Sequence, residues 1–347
     1  MKRILKRMSM VIMSMVILMS VSPLSKADAT SEVITLGINL NNTQKKEILN
    51  YFGVDENNPN IIYVNNKQER KYLSGIAPEE QIGRVTMSSS YVVPTNDGGI
   101  NVKTSNITWV TSSMIASTLS TAGVENANVV AAAPFPVSGT GALTGIIMAF
   151  EKSSGEVLTE EKKKLANEEL MTTGNLAEKV GKDKAAGIVN DAKKEVIKDN
   201  IKDEKQIENA VKEVANNYNV NLTTGDINII VNLLKNISNQ NYNYNEVKDT
   251  LNNISANVIS KLKESGENID IKGFQNTIKS FLDNNKDAAN FFNKFDDSKL
   301  SSDAVVSTTA EGLNTAASIA GDIGNQVKES GFFEKLVNFI KSLLPSN

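Results

Sequence analysis

Residues 32–150 alternate between short apolar runs typical of strands and amphipathic segments typical of helices. β-branched residues mark the strands, and capping residues mark the helix ends. Gly53 and Gly123, for example, each follow the last position of a predicted helix, where glycine is a favoured cap. The predicted strands are 33–36, 61–64, 84–93, 100–110 and 128–133, and the predicted helices are 44–52, 67–73, about 111–121 and about 139–150. Strands interrupted by helices predict an α/β (α+β) N-terminal domain with a mixed sheet.

Two of these strands flank a strong turn signal. Residues 84–93 and 100–110 stand on either side of Asn96-Asp97-Gly98-Gly99. These residues accept the positive φ angles of a tight turn, which is the usual signature of a β-hairpin. The sequence therefore predicts that the two strands pair with each other.

From Thr159 onward the strand signal stops, and apolar residues recur at helical spacing. Gly174, Gly225, Gly266 and Gly273 are predicted to mark helix ends, and the polar run 239–245, which includes Tyr242, is predicted to be an exposed linker. Residues 301–330 are rich in small side chains and predict either a thin helix or a mobile segment. The chain is therefore divided into a leader (1–29), an α/β domain (30–155), an all-α helical domain (156–300) and a C-terminal segment (301–347).

The last residues carry a strongly amphipathic helical pattern, with charged and polar residues on one face and apolar residues on the other. Such a helix can lie in a membrane interface or dock into a groove on a partner. The alternative is an ordinary terminal helix that closes the helical domain. The apolar face consists of Phe332, Phe333, Leu336, Val337, Ile340, Leu343 and Leu344.

The first 29 residues have the parts of a secretory signal peptide. Four basic residues precede an apolar stretch over 8–21, and Ala27-Asp28-Ala29 supplies a cleavage site. Because the stretch is shorter than the ~20 residues of a membrane-spanning helix, cleavage after Ala29 is preferred over an uncleaved anchor. Cleavage removes five basic residues and one acidic residue, which changes the formal net charge from −3 to −7. An acidic chain without a basic stripe gives no reason to expect nucleic-acid binding.

Two absences in the composition exclude many chemistries. The 347 residues contain no cysteine and no histidine. Disulfides, thiolate nucleophiles, Ser–His dyads and imidazole-ligated zinc are therefore excluded, and we predict no cofactor and no metal site. An exported chain without cysteine fits the envelope of a Gram-positive bacterium, where disulfides are not the usual stabilising device.

A glycine-rich segment is the closest approach to a ligand-binding motif. Ser138, Gly139, Thr140 and Gly141 follow a predicted strand and open a predicted helix, so their backbone N–H groups could hold an anion or a carboxylate. The segment is not a P-loop, because no Lys-Ser/Thr follows the glycines. It is not a dinucleotide-binding fingerprint either, because its third glycine, Gly145, comes one position late. The preferred interpretation is structural: the glycines allow the helix to pack closely on the sheet.

Other reactive residues lack a pattern that demands catalysis, so the catalytic residues, if any, are unknown. Asp296 and Asp297 are neighbours and are predicted to be solvated. The Ser-x-x-Lys spacing at Ser260 is attributed to chance on a surface helix. A hydrolytic pair of carboxylates stays open, because the separation of its members is spatial. Trp109 is assigned to core or sheet-face packing, with a recognition surface as the alternative.

Several runs in the N-terminal half resemble a known family. They are Ile-Asn-Val-Lys-Thr-Ser-Asn-Ile-Thr-Trp-Val at 100–110, Ala-Gly-Val at 122–124, Ala-Ala-Ala-Pro-Phe-Pro-Val-Ser-Gly-Thr at 131–140 and Ala-Leu-Thr-Gly at 142–145. They resemble the YpuA-like family (DUF1002), which comprises secreted Gram-positive proteins of unknown function. The resemblance covers residues 32 to about 270. It implies export, and it supplies no catalytic residues.

These patterns favour an exported, non-enzymatic protein that binds a component of the cell envelope or an extracellular protein. Two alternatives stay open. One is a carboxylate-dependent hydrolase that acts on cell-wall polymers. The other is a protein that acts at a membrane surface through its C-terminal helix.

Overall fold

The structure of the chain, a computed structural model, describes residues 32–267, 269, 281, 287–300 and 304–310. The predicted leader and the apolar face from Phe332 to Leu344 lie outside these residues, as does Gly273. Cleavage after Ala29 and membrane or partner contact by the C-terminal helix therefore stay predictions.

Strands and helices alternate up to residue 154, and helices follow. The strands are β1 (Val33–Gly37), β2 (Ile61–Val64), β3 (Ser89–Pro94), β4 (Ile100–Ile107), β5 (Ala127–Val137) and β6 (Val306–Thr308). The helices are α1 (Asn42–Phe52), α2 (Asn66–Leu73), α3 (Glu79–Ile82), α4 (Ser112–Ala122), α5 (Thr140–Ser154), α6 (Glu160–Val180), α7 (Lys182–Lys198), α8 (Glu204–Asn217), α9 (Thr224–Ser238) and α10 (Tyr244–Glu264). The fold class is thus confirmed: a mixed α/β sheet is followed by a helical region.

The strand order is β2-β1-β3-β5-β4-β6, so the predicted hairpin is wrong. β3 and β4 do not pair, because β5 lies between them, antiparallel to β3 and parallel to β4. Gly98 and Gly99 do have positive φ angles, as a turn requires. The turn residues determine where the chain reverses direction. β5, which comes later in the sequence, pairs with both β3 and β4 and so separates them.

β5 also continues further than predicted, through Pro134 and Pro136. Pairing with β3 ends at Ala132, so beyond that residue β5 has a strand neighbour on one side only. A proline has no N–H to donate and is tolerated where a strand edge is unpaired. The prolines therefore do not end the strand; they follow the point where β3 stops.

Helices and buried side chains cover both faces of the sheet. Along β5 the side chains of Val129, Ala131 and Ala133 enter a large core cluster, while Val130 and Ala132 enter a second cluster on the other face. This alternation is the period of two expected for a strand that is buried on both sides. The second cluster contains aromatic residues from α1, β3 and the segment 287–300.

The large cluster includes residues from both predicted domains, such as Val129 of β5, Leu170 of α6 and Ile254 of α10. The division of the chain at residue 155 stays a prediction. Gly174 lies inside α6 and not, as predicted from the sequence, at a helix end. A glycine is needed there because the ring of Trp109 occupies the position of a side chain at residue 174. Trp109 also donates from Nε1 to Glu178 Oε1 at 3.2 Å, which agrees with its assignment to packing.

Residues beyond Thr159 do return to the sheet, contrary to the sequence prediction. β6 pairs antiparallel with β4 and places Val306 opposite Ser105. Asp297 is not a solvated charge: it accepts from Tyr51 and Ser105 and forms an ion pair with Lys103 at 2.8 Å. These contacts attach the segment 287–300 to the sheet. In the described part of the chain, no helix has the length and hydrophobicity needed to cross a bilayer.

Candidate functional site

The carboxyl ends of β1, β2, β4 and β5 meet at one edge of the sheet, because these four strands run in the same direction. Ligands of α/β proteins usually bind outside this edge. β3 and β6 are antiparallel and contribute their amino ends there. A ligand site is therefore expected at this edge.

A cavity of about 390 Å³ lies at this edge, which is within the usual range for small-ligand sites. Three segments that are distant in the sequence form its walls, and we call it the carboxyl-edge cavity. They are Glu69 of α2, residues 82–88 before β3, and Phe135 with 137–141 at the end of β5 and the start of α5.

The cavity occupies the gap that opens where β3 stops and β5 continues. Residues 85–88 precede β3 without pairing as part of it, while Pro134 and Pro136 extend β5 past the start of β3. Gly37 of β1 allows Thr86 to approach β1 closely, because a Cβ at residue 37 would lie 2.8 Å from the backbone carbon of Thr86. The cavity is therefore a product of strand lengths and not of one loop.

The predicted glycine loop forms one wall of this cavity. Gly139 precedes α5 with a φ of 89°, and a Cβ there would overlap the side chain of Ile107. Gly141 faces Glu69, and Gly145 faces Thr35, whose Oγ1 would lie 2.8 Å from an added Cβ. The glycines thus serve close packing, as the structural interpretation predicts. The same packing brings Ser138, Gly139, Thr140 and Gly141 to the cavity, where binding of an anion stays a prediction.

Glu69 is the most deeply buried charged residue of the cavity wall, with 2% of its surface exposed. Its Oε1 accepts a hydrogen bond from the hydroxyl of Thr86. Burial raises the pKa of the Glu69 carboxyl above its ordinary value, while Thr86, Asn66 and the charge of Arg70 act in the opposite direction. The carboxyl therefore keeps its proton to a higher pH than a solvated glutamate does.

Three further polar side chains at the cavity have no partner. Within the described residues, neither the Arg84 guanidinium nor the hydroxyls of Ser88 and Ser138 form a hydrogen bond or an ion pair. Ser88 is only 8% exposed, whereas Arg84 and Ser138 stand at the rim. A buried polar group usually has a partner, so Ser88 suits a ligand that completes it, and the exposed Arg84 and Ser138 are available to the same ligand.

A second cavity, of about 350 Å³, lies between α6 and α9 but offers less to a charged ligand. Its charged residues are already paired: Lys179 with Asp226 at 2.5 Å, and Glu168 with Lys164 at 3.7 Å. We therefore prefer the carboxyl-edge cavity as the candidate site.

The other residues that the sequence singled out do not join this cavity. Ser260 is fully buried in α10 and not on a surface, so its spacing to a lysine has no catalytic meaning. Tyr242 is half-buried and donates to the carbonyl of Thr121 at 2.6 Å, although most of the run 239–245 is exposed. Among the described residues, no three acidic side chains converge as the ligands of a metal ion would.

Sequence reasoning missed Glu69, Arg84 and Ser88 as site residues. None of them lies in a motif, and 15 or more residues separate Glu69 from the other two. A charged residue among the buried positions of a short amphipathic helix was the available signal for Glu69, since α2 otherwise buries only Leu73.

We expect Glu69→Gln to reduce the fall in stability that accompanies rising pH. Because the folded state holds the Glu69 proton more tightly than the unfolded state, the wild type loses stability as the pH rises from about 4.5 through the raised pKa. Glutamine keeps an oxygen that accepts from Thr86 and has no such titration. Urea unfolding between pH 4.5 and 8 measures the difference.

The control is Glu79→Gln on the neighbouring helix. Arg70 lowers the pKa of Glu79 through an ion pair of 2.8 Å, so Glu79 titrates below pH 4.5 and this change should leave the pH dependence between pH 4.5 and 8 as it is in the wild type. An unchanged pH dependence in Glu69→Gln would contradict the raised pKa.

The comparisons with known proteins agree with the resemblance seen in the sequence. A family model described as "Protein of unknown function (DUF1002)" matches residues 36–254. The chain belongs to this DUF1002 family. It is 38% identical over 256 residues to the uncharacterized protein YpuA of Bacillus subtilis (strain 168), covering 73% of this chain and 88% of that protein. No solved structure shows significant similarity to the chain.

The DUF1002 match contains every segment that forms the carboxyl-edge cavity, from Glu69 to Gly141. Asp297 and β6 lie beyond it, although both bond to β4 inside it. The candidate site thus belongs to the part of the chain that defines the family.

Proposed function

We propose that this member of the DUF1002 family is exported and binds a component of the cell envelope through the carboxyl-edge cavity, without converting it chemically. The observation that carries the proposal is the cavity itself, about 390 Å³ at the edge of an α/β sheet where ligands usually bind. Unpartnered polar groups inside it are what a ligand would complete.

Export is supported by the first 29 residues, where a basic start, an apolar stretch and a small-x-small site follow in the order of a signal peptide. The resemblance to a secreted family points the same way.

Binding is favoured over hydrolysis by the arrangement of carboxylates. Hydrolysis of a glycosidic bond commonly needs two carboxyl groups that face the same bond. Among the described residues that line the cavity, Glu69 is the single carboxylate, and Thr86 already bonds to it. Phe135 at the rim is 40% exposed and offers an apolar surface to a ligand. One buried carboxylate beside an apolar rim suits the binding of a ligand better than its hydrolysis.

Fractionation of cells into cytosol, membrane, wall and medium tests the proposal. We expect the chain in the envelope, with an amino end generated after Ala29 as read by mass spectrometry. Phe135→Glu places a charge on the apolar rim and should release the protein into the medium. Val157→Glu is the matched control, because Val157 is an exposed apolar residue that does not line the cavity, and it should leave the distribution unchanged.

Two outcomes would contradict the proposal, each for a different part of it. An intact amino end on protein retained in the cytosol would refute export. An envelope distribution that Phe135→Glu does not alter would refute binding through the cavity.

A further inference from the structure

We propose that the ligand of the carboxyl-edge cavity is an oxyanion, a carboxylate or a phosphate monoester, that carries an apolar group. This inference rests on the function proposed above and adds the chemical class of the ligand. The charge and hydrogen-bonding capacity of the unpartnered groups support the anionic part, and the exposed rim supports the apolar part.

Arg84 supplies the positive charge. Its guanidinium lines the cavity and, within the described residues, has no ion-pair partner. The nearby guanidinium of Arg70, in contrast, already forms an ion pair with Glu79 and donates a hydrogen bond to the carbonyl of Gly83, both at 2.8 Å. A guanidinium donates hydrogen bonds, cannot accept them, and matches the two oxygens of a carboxylate or phosphate.

The start of α5 adds a second favourable field for an anion. α5 has 15 residues, and Gly139 offers no side chain to cap it. The amino end of such a helix attracts negative charge. An independent observation points into the same space: Ser88 lines the cavity, is nine-tenths buried, and has no hydrogen-bond partner in the described part of the chain. Its hydroxyl can donate to an oxyanion.

Glu69 is the one group of the described cavity wall whose charge would oppose an anion. Its oxygens lie beside Gly141, where an added Cβ would be 2.8 Å from Oε2. Thr86 donates to Oε1, and burial favours the protonated form. The opposition of Glu69 to an anion is therefore weakest at low pH, where its carboxyl is protonated.

The apolar part of the ligand would contact the rim. Val85 and Phe135 line the cavity and are 55% and 40% exposed. Large apolar side chains that stay exposed beside a cavity commonly contact ligands. The rim of the site thus offers both kinds of contact: the charge of Arg84 and the apolar side chains of Val85 and Phe135.

Isothermal titration of the purified protein with benzoate, phenyl phosphate and benzamide at 0.15 M salt tests the inference. The three probes share a ring, and benzamide is the neutral counterpart of benzoate. We expect both anions to bind at least about tenfold more tightly than benzamide, the strength typical of a hydrogen bond to a charged group. The ratio between the two anions tells whether a carboxylate or a phosphate fits better.

The variant Arg84→Gln should raise the Kd of the anions toward that of benzamide, and Ser88→Ala should raise it by a smaller factor. Lys205→Gln removes the same charge from an exposed site on α8 and should change nothing. Equal binding of benzamide and benzoate, or anion binding that Arg84→Gln does not weaken, would refute the anionic ligand while leaving cavity binding in place. Failure of all three probes would also refute this ligand class, and the release of Phe135→Glu from the envelope would still test the proposed function separately.

Discussion

Lys193→Met is expected to lower the free energy of unfolding by about 3–5 kcal/mol, the usual effect of removing one member of a buried ion pair. Lys193 and Glu169 are both completely buried, with Nζ 2.9 Å from Oε1. Lys193 also donates to Ser117, Ser120 and Thr121 of α4. Without the ammonium, the carboxylate of Glu169 is left with hydroxyl donors in a site that water does not reach. Urea denaturation at pH 7 measures the change.

Two comparisons make this prediction specific. Lys212→Met breaks an exposed pair with Glu208, which solvent screens, and should change the free energy of unfolding far less. The double variant Lys193→Met, Glu169→Met removes both buried charges and should recover part of the loss. A double variant less stable than Lys193→Met would contradict the explanation.

Gly139→Ala is expected to lower the free energy of unfolding by about 2–5 kcal/mol, through two separate effects. Gly139 has a φ of 89°, a conformation that alanine adopts at a penalty of roughly 1–2 kcal/mol. The added Cβ would also overlap Ile107, which is 3% exposed and cannot move without disturbing the end of β4. Overpacking of this kind adds roughly 1–3 kcal/mol. Thermal or urea unfolding gives the total.

Gly155→Ala, at the other end of the same helix, separates the two effects. Gly155 also has a positive φ, 73°, but no atom lies within 4 Å of an added Cβ. This variant should lose only the conformational part, about 1 kcal/mol. Equal losses in the two variants would show that contact with Ile107 contributes nothing.

Short-range sequence patterns were sufficient to predict most of the strands and helices between residues 32 and 154. Thr111 caps α4 through its side chain, and Gly53 and Gly123 end their helices in the left-handed conformation. These features involve residues that are neighbours in the sequence, so the sequence displays them directly. The first helix differs from the predicted range 44–52 only at its start, because Asn41 caps it and α1 begins at Asn42.

Residues distant in the sequence account for the predictions that were wrong. The hairpin fails because β5 inserts between β3 and β4. Gly174 does not end a helix; a glycine stands there because Trp109, 65 positions earlier, packs against it. Asp297 is bonded and not solvated because it contacts Tyr51 of α1 and Lys103 and Ser105 of β4. In each case, the partner is invisible to a local pattern.

The sequence by itself determined the elements, their alternation, the family resemblance and the chemistries that are excluded, since each depends on residue type and short-range spacing. Only the tertiary structure decided which strands pair, which charges are buried, and that a cavity exists. The carboxyl-edge cavity shows the reason: it joins Glu69, Arg84 and Gly141, and their proximity results from strands of unequal length that the fold places side by side.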